Sequence, residues 1–402
     1  MRELIIIAHV PTDAINEGFM PAAKALGLSI ILLTDCAQTH REHFVQAGLV
    51  AYPDEIIACD VFNPMAIIDA ISSRAQHPAA IFSNSDHLQS STALAAQYFG
   101  LPGKNWQTTY RAKNKAEMRK HLASIGIDIL WHTVVSNAEE LGQYAQAMPL
   151  PCIVKPREGV ASMHVSLARD YDELSAQCAS IWAEYPGQAL LLEEYIEGPL
   201  YTLETLGDGK DIAVLGGFQV KLSQPPHFVE LDAIWGTGLP PQSEARVLQM
   251  IREFGIGFGA CHTEFVMSEN GPRLIEINYR NIGDYREFLL RDTLQIPLFE
   301  TVLQLYLGES LPAFDIPGNA AWIRYFTASE TGQLQHAPAA FAVAEEALKL
   351  SYTPLRQVGD IIRLTNSNKD YLGVLRGSGT CAQRLAAAIA DASQKLAWEI
   401  AA

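Results

Sequence analysis

The feature that most constrains the fold is the alternation of apolar runs and helical segments in the first hundred residues. ELIIIAHV, SIILLTD and AAIFSNSD indicate buried strands, and INEGFMPAAKALG, which ends at a glycine, is expected to be a helix. Continuous apolar strands that alternate with helices are typical of an open parallel sheet covered on both faces. Ligands of such sheets bind at the carboxyl ends of strands, which here carry His9, Asp35 and Asp86. Ordinary turn chemistry explains these three residues as well.

Charge and cysteine usage narrow the class of protein. A net charge of −16 over 402 residues predicts that neither nucleic acid nor an anionic membrane is a partner. Six scattered cysteines without a CxxC pair fit reduced thiols in a cytoplasmic protein better than a disulfide framework or a zinc site. MRELIIIAHVP is apolar for only a few residues, so we expect a first strand there and not a signal peptide.

Two alternating segments, ACHTEFVM and GPRLIEINYR, predict a β-hairpin. An Asn-Gly pair between alternating segments is a strong hairpin signal. Pairing centred near Asn270 places Glu264 opposite Glu276 and His262 opposite Asn278. The hairpin therefore brings two carboxylates and an amide together on one face of a sheet.

This polar face has two interpretations. Alternate side chains of a strand point the same way, so Glu276, Asn278 and Arg280 are expected on one face. Like charges directly opposed are destabilising, and oxygen ligands of this kind are those that Mg²⁺ prefers. The face is either a magnesium site or a solvated outer surface that tolerates the pair. A register slip of one residue would move one strand's polar set to the other side.

Two other segments could contact a nucleotide. CIVKPREGVASMHVS places Lys155 at the end of an apolar strand, before a loop of small residues whose N–H groups can bind phosphates. LLLEEYIEGP ends an apolar strand with carboxylates followed by Gly198. Each segment also has an interpretation without function. The first would be a solvated lysine beside a turn, and the second would be a strand that runs into a turn.

The order of these segments resembles the ATP-grasp superfamily, in its carboxylate–amine ligase branch. GACHTEFVMSENGPRLIEINYRNIGD is similar to that family's pattern H-T-E … G-P … E-I-N-x-R-x-x-G-D. The resemblance covers nearly the whole chain and implies a mixed α/β and α+β fold. It implies a parallel-sheet pre-ATP-grasp domain at 1–105, a two-part ATP-grasp domain at 106–312 and a small C-terminal α+β closing domain at 313–402.

The resemblance also implies a nucleotide site. Lys115 and Lys155 would contact the ATP phosphates. A loop of small residues would close over those phosphates, and its members are Gly159, Ala161 and Ser162. The strand end that would line the adenine comprises Glu193, Glu194, Tyr195 and Ile196. Many members carry a ribose-binding glutamate where this chain has Leu200, so ribose binding must differ here.

The same resemblance assigns the hairpin. Glu264, Glu276 and Asn278 would bind Mg²⁺ or Mn²⁺, and Arg280 would contact an acyl phosphate. Two anions must approach each other when ATP activates a carboxylate, so metal and cationic side chains are needed to neutralise the developing charge.

The expected function is an ATP- and Mg-dependent ligase that joins a small carboxylic acid to an amine, such as an amino acid. It would form an acyl phosphate and release ADP and phosphate, in siderophore or peptide-like natural-product assembly. The alternatives are a purine-pathway ligase of similar architecture and a nucleotide-binding module without turnover. Retention of Glu264, Glu276 and Arg280 disfavours the binding module. Expected partners are the acid and amine substrates, with a homodimer as the expected assembly if the chain self-associates.

Overall fold

The computed structural model describes residues 2–48, 53–236, 238–345 and 347–401, and it confirms the predicted mixed α/β fold. Its N-terminal strands are parallel, in the order β3-β2-β1-β4. They are β1 (Glu3–Ile7), β2 (Ser29–Thr34), β3 (Glu55–Ala58) and β4 (Ala80–Phe82). The accompanying helices are Ala14–Phe19, continued by α1 (Met20–Ala25), then α2 (Ala37–Gln46), α3 (Pro64–Ser72), the short turn Asp86–Leu88 and α4 (Gln89–Tyr98). Every residue of β1 is buried, which explains its unbroken apolar sequence.

A small antiparallel sheet forms the next part of the chain, in the order β5-β8-β6-β7. Its strands are β5 (His132–Val135), β6 (Cys152–Pro156), β7 (Ser166–Ala168) and β8 (Leu190–Glu194). The helices of this part are α5 (Trp106–Lys113), α6 (Lys115–Ser124), α7 (Ala138–Gln143) and α8 (Tyr171–Glu184). The Asn114 side chain accepts a hydrogen bond from Glu117 N and so begins α6 at Lys115.

A large antiparallel sheet contains most of the strands in the second half of the chain, in the order β14-β13-β9-β11-β12-β15-β20-β18-β17, with β10 beside β9. The first six of its strands along the chain are β9 (Leu200–Asp208), β10 (Ile212–Gly216), β11 (Phe218–Leu222), β12 (Glu230–Trp235), β13 (Phe258–Ser268) and β14 (Gly271–Asn278). The later helices and strands are α9 (Pro241–Phe254), α10 (Arg286–Leu294), α11 (Leu298–Tyr306), β15 (Ala320–Thr327), β16 (Gly332–His336), β17 (Phe341–Glu345), β18 (Leu348–Pro354), β19 (Ile361–Ile362), the turn Asn368–Asp370, β20 (Tyr371–Gly379), α12 (Ala382–Gln394) and β21 (Glu399–Ala401).

Four of the C-terminal strands, β15, β17, β18 and β20, belong to this large sheet, whereas β16, β19 and β21 form a separate one. β15 pairs with β12, where Asp232 lies opposite Arg324. The sheet therefore crosses the position at which the sequence places the boundary between 106–312 and 313–402, and the three domain limits stay predictions.

The segment CAQRLAAAIADASQKLAWEIAA predicts a helix to the end of the chain, but its last described residues are extended. α12 ends at Gln394, and β21 pairs with β16 instead. The Trp398 ring packs 4.8 Å from the Phe326 ring, measured between centroids. Burial of this aromatic side chain favours an extended end over another helical turn.

An aromatic core connects the N-terminal sheet to α11. The Phe19 ring lies 4.5 Å from Phe82 and 5.0 Å from Phe299, and Phe82 lies 5.1 Å from Tyr306. This packing positions the carboxyl edge of the parallel sheet beside the end of β14.

Among the described residues, no helix combines the length and apolar character that crossing a membrane requires.

Candidate active site

A cleft lies between the small sheet and the β13–β14 hairpin. It contains about 1030 Å³ of empty space, part of it open to solvent, which is at the upper end of the size of ligand sites. Eleven of the thirteen predicted site residues line it: Lys115, Lys155, Gly159, Ala161, Ser162, Glu193, Glu194, Tyr195, Ile196, Glu264 and Glu276. The structure therefore brings together segments that are far apart in sequence.

Lys115 is the first residue of α6 and points into the cleft. Its Nζ lies 2.7 Å from Glu276 Oε1 and donates to the carbonyl of Gly159 at 2.9 Å. Burial would lower the pKa of Lys115, but the carboxylates of Glu276, Asp86 and Glu264 together outweigh burial and leave the pKa above its usual value. Lys115 is thus a permanent cation between the hairpin and the loop.

A buried ion-pair network supports the second lysine. Lys155 Nζ lies 2.8 Å from Glu193 Oε2, and Arg119 Nε donates to Glu193 Oε1 at 3.0 Å. Burial would raise the pKa of Glu193, but Arg119 and Lys155 outweigh it and lower the pKa to about 2. The Glu193 carboxylate therefore positions Lys155, which is a different role from lining the adenine directly.

The hairpin confirms the predicted opposition of the carboxylates. Glu264 lies opposite Glu276 and His262 opposite Asn278. The register shifts between Glu264 and Phe265, because Ile275 is an extra residue on β14. Because of this bulge, the pairing at the turn, where Ser268 lies opposite Gly271, is shifted by one residue relative to the pairing of the two carboxylates.

The surroundings of Glu264 fit an oxygen-ligand metal site. His262 donates from Nε2 to Glu264 Oε1 at 3.2 Å, and Glu204 Oε1 accepts from His262 Nδ1 at 2.8 Å. Burial would lower the pKa of His262, but Glu204 and Glu264 raise it to about 9, so both ring nitrogens carry protons at neutral pH. Asn278 Nδ2 donates to Glu264 Oε1 at 3.4 Å. The amide oxygen of Asn278, which is the atom that a hard cation would bind, is not used in this hydrogen bond.

Arg280 departs from the sequence expectation that it shares a strand face with Glu276. β14 ends at Asn278, and Arg280 N donates to Asn278 O at 2.7 Å in a tight turn. Arg280 Nε lies 3.9 Å from Asp86 Oδ1, at the carboxyl edge of the N-terminal sheet. The turn therefore directs this guanidinium to the junction with the parallel sheet, beyond the residues that line the cleft.

The loop of residues 157–165, called the phosphate loop after its expected role, has an unusual backbone. Ala161, Ser162 and His164 have φ angles of 56°, 54° and 56°, in the left-handed region that residues with a Cβ seldom adopt. Asn368 N donates to the carbonyl of Ala161 at 3.0 Å, and Lys115 contacts Gly159. The loop is thus strained, and a turn of the C-terminal segment contacts it.

The end of β8 and the residues that follow it, 193–198, border the apolar part of the cleft. The N–H of Tyr195 donates to the carbonyl of Pro151 at 3.2 Å. Gly198 has a φ of 147°, and a Cβ there would lie 2.2 Å from the carbonyl oxygen of Met267. A glycine is therefore required for this segment to pass close to β13. Apolar neighbours are Leu130, Ile153, Met163, Val165, Leu200, Leu222, Phe228, Val266 and Ile275.

Sequence reasoning missed two charged residues, Arg119 and Glu230. Arg119 follows Lys115 by one helical turn in the same segment, and this spacing was the available signal. Glu230 also lines the cleft, and its Oε2 lies 2.7 Å from Arg286 Nη2. Asp86 pairs with Lys113 at 2.6 Å as well as facing Arg280, and only the strand-end rule pointed to it.

Comparison with known proteins identifies a matching family profile and several similar proteins. Residues 148–287 match a family profile described as an ATP-grasp domain. Carnosine synthase 1 of Gallus gallus is 28% identical over 334 residues, which cover 75% of this chain and 35% of the chicken protein. The L-arginine-specific L-amino acid ligase of Bacillus subtilis is 24% identical over 255 residues, which cover 59% of this chain and 62% of that ligase.

A solved structure matches over the full length. The crystal structure of L-amino acid ligase from Bacillus licheniformis has a TM-score of 0.81 and 18% identity, covering 100% of this chain and 99% of that one. At this identity the match shows a shared fold. The chain spans about a third of the length of the chicken carnosine synthase that it matches.

Proposed function

We propose that this chain, which belongs to the ATP-grasp superfamily, is a ligase that uses ATP to join a small carboxylic acid to an amine. The observation that carries the proposal is the convergence in one cleft of buried cations and opposed carboxylates, with Lys115 Nζ 2.7 Å from Glu276 Oε1. The similarity to carnosine synthase and to an L-arginine-specific L-amino acid ligase supports an amino acid as one substrate.

ATP would bind with its base against the apolar part of the cleft and its phosphates between the two lysines. The Tyr195 N–H is already used by Pro151, so we assign recognition of the base edge to the backbone of Ile196. Lys115 and Lys155 would exchange carboxylate partners for phosphate oxygens, which charge-assisted hydrogen bonds favour. Leu200 offers no polar group to a ribose, so the hydroxyl groups must be bound by other residues.

Glu264, Glu276 and Asn278 would hold Mg²⁺ or Mn²⁺, and the bound ion would neutralise charge on the terminal phosphates. The protonated His262 then has a positioning role, since its hydrogen bond to Glu264 would hold that carboxylate in a fixed orientation in the cleft. The pairing of Glu264 with Glu276 supports this assignment because opposed carboxylates repel each other, and a bound cation would stabilise the pair in addition to Lys115 and His262.

The chemistry would proceed in two displacements. A carboxylate oxygen of the acid attacks the γ-phosphorus, and ADP leaves. The amine nitrogen then attacks the acyl carbon, phosphate leaves, and the nitrogen loses a proton to form the amide. Arg280 would contact the transferred phosphoryl group from the junction with the N-terminal sheet, and the phosphate loop would exclude water from the acyl phosphate.

Nucleotide analysis tests the reaction class. The purified chain is incubated with ATP, Mg²⁺ and pairs of amino acids and small carboxylic acids, and the nucleotides are separated by chromatography. The expected result is ADP and phosphate in equal amounts, formed only when both substrates are present. AMP and pyrophosphate would overturn the mechanism, and nucleotide binding without ADP formation across the whole screen would support a binding module.

Lys155 provides a first prediction. We expect Lys155→Met to raise the KM for ATP by about 10-fold or more and to lower kcat, because hydrogen bonds between charged groups contribute ~1.5–3 kcal/mol. Methionine keeps the apolar stem, and Arg119 still pairs with Glu193. Steady-state kinetics measure the change, with Lys210→Met in an exposed turn as the control. Unchanged kinetics would make Lys155 a purely structural partner of Glu193.

The phosphate loop provides a second prediction. Amides of residues 159–162 should exchange hydrogen at least about 10-fold more slowly with ATP and Mg²⁺ bound, a difference of ~1.4 kcal/mol in local opening. Strained backbone is expected to open readily until phosphate contacts stabilise it. Amides of α8, on the same small sheet, are the internal control. Equal protection in both states would show that the loop does not close on the nucleotide.

The pathway of siderophore or peptide-like natural-product assembly, the homodimer and the cytoplasmic location stay predictions from the sequence.

A further inference from the structure

Three potential metal ligands meet at the carboxyl edge of the N-terminal sheet, outside the cleft. His9 follows β1, and Asp35 and Cys36 follow the neighbouring parallel strand β2. One ligand atom from each lies within 4.8 Å of the other two. The site thus combines an imidazole, a carboxylate and a thiol, whereas the hairpin site offers only oxygen atoms.

The two distances from the imidazole nitrogen are near those around a tetrahedral ion. His9 Nδ1 lies 2.8 Å from Asp35 Oδ1 and 3.6 Å from Cys36 Sγ. Zinc bonds of about 2.05 Å to nitrogen, 2.1 Å to oxygen and 2.3 Å to sulfur, at tetrahedral angles, separate N and S by about 3.6 Å and N and O by about 3.4 Å. The thiol is already at the required distance, and the carboxylate needs to move by about 0.6 Å from the imidazole.

One buried side chain fixes the two ligand-bearing turns relative to each other. Thr34 Oγ1 donates to the carbonyl of His9 at 2.9 Å and accepts from Cys36 N at 3.0 Å. His40 Nε2 donates to the same carbonyl at 3.1 Å. The Phe62 ring packs edge-on against the His9 imidazole at 5.3 Å. The backbones of His9 and Cys36 and the His9 ring are therefore held by residues outside the cluster, as is usual around metal sites.

The ligand atoms are also accessible. The side chains of His9 and Asp35 are 42% and 29% exposed, so an ion can enter from solvent and keep a water molecule as its fourth ligand. Asp35 accepts from the same ring nitrogen that faces Cys36, so the three residues do not form the linear relay of a nucleophilic triad.

We propose that His9, Asp35 and Cys36 form a second metal site, selective for a borderline transition ion such as Zn²⁺ over Mg²⁺. Thiolate and imidazole ligands favour such ions, whereas Mg²⁺ favours oxygen ligands. None of its residues lines the cleft, so this site is distinct from the proposed nucleotide and Mg²⁺ sites.

Cobalt spectroscopy provides the direct test. The reduced full-length chain is titrated with Co²⁺ in excess Mg²⁺, without nucleotide, and the near-ultraviolet absorption of a cobalt–thiolate bond is followed. The expected result is one equivalent of Co²⁺ with this absorption in the wild type and in Cys59→Ser, a matched control at the end of the adjacent strand β3. Cys36→Ser should lose the absorption.

Zinc binding gives the second measurement. Equilibrium dialysis with metal analysis should show His9→Ala and Cys36→Ser binding Zn²⁺ at least 10-fold more weakly than wild type and Cys59→Ser. If His9→Ala fails to fold by circular dichroism, Asp35→Asn replaces it. Persistence of the cobalt–thiolate absorption in Cys36→Ser, or equal zinc affinity in all variants, would overturn the site and leave a hydrogen-bonded His–Asp pair beside a thiol.

Discussion

Replacing Glu276 by alanine should reduce ATP-dependent turnover by more than about 100-fold while the fold stays intact. Even residues that only support metal ligands cost 10- to 100-fold in activity or metal affinity when they are replaced. Glu276 lines the cleft opposite Glu264 and contacts Lys115. Its loss removes both a proposed metal ligand and the group that positions a proposed phosphate-binding cation.

The measurement is kcat and its dependence on Mg²⁺ concentration, with circular dichroism to confirm folding. Glu269→Ala is the matched control, because Glu269 is an exposed carboxylate at the turn of the same hairpin. The control should retain wild-type turnover. Wild-type turnover of Glu276→Ala at ordinary Mg²⁺ would exclude the hairpin as the metal site.

Replacing Arg119 by methionine should destabilise the protein by about 3–5 kcal/mol, the usual cost of removing one partner from a buried ion pair. Arg119 is buried and contacts Glu193 through Nε at 3.0 Å and Nη2 at 3.3 Å. It also donates from Nη1 to the carbonyl of Leu274 at 2.7 Å, which connects α6 to the hairpin. Both contacts are lost together in this variant.

Thermal denaturation and hydrogen exchange at β8 measure this loss. Lys120→Met is the control, since the neighbouring Lys120 side chain is 74% exposed and its replacement should change stability by less than about 0.5 kcal/mol. Equal stability of both variants would show that Lys155 alone is enough to stabilise the buried negative charge of Glu193.

The effect of Arg119 should depend on pH. The pKa of Glu193 in the fold is lowered to about 2, below the value of about 4.3 for an unfolded glutamate. A lowered carboxyl pKa stabilises the fold above the unfolded pKa, and that contribution is lost as pH falls through the folded value. The stability difference between wild type and Arg119→Met should therefore be full near pH 6 and should shrink between about pH 4 and pH 2.

Local sequence pattern by itself determines several parts of the site. Period-two alternation with an Asn-Gly turn is enough to predict that Glu264 opposes Glu276, because each strand residue has one fixed facing partner once the turn is placed. Continuous apolar strands were enough to predict a buried parallel sheet, since only burial on both faces favours them.

Long-range contacts decided the rest. The turn after Asn278 and the packing of the N-terminal sheet direct Arg280 to Asp86, 194 residues earlier in the sequence, and no local pattern encodes that meeting. The sequence predicted a hairpin centred near Asn270, but the turn pairs Ser268 with Gly271, and only the bulge at Ile275 restores the predicted pairing at the carboxylates. The sequence by itself determined which residue types face a common surface, because that depends on backbone periodicity. Tertiary structure decided which charges meet, because a charge is placed by the packing of the segments that carry it.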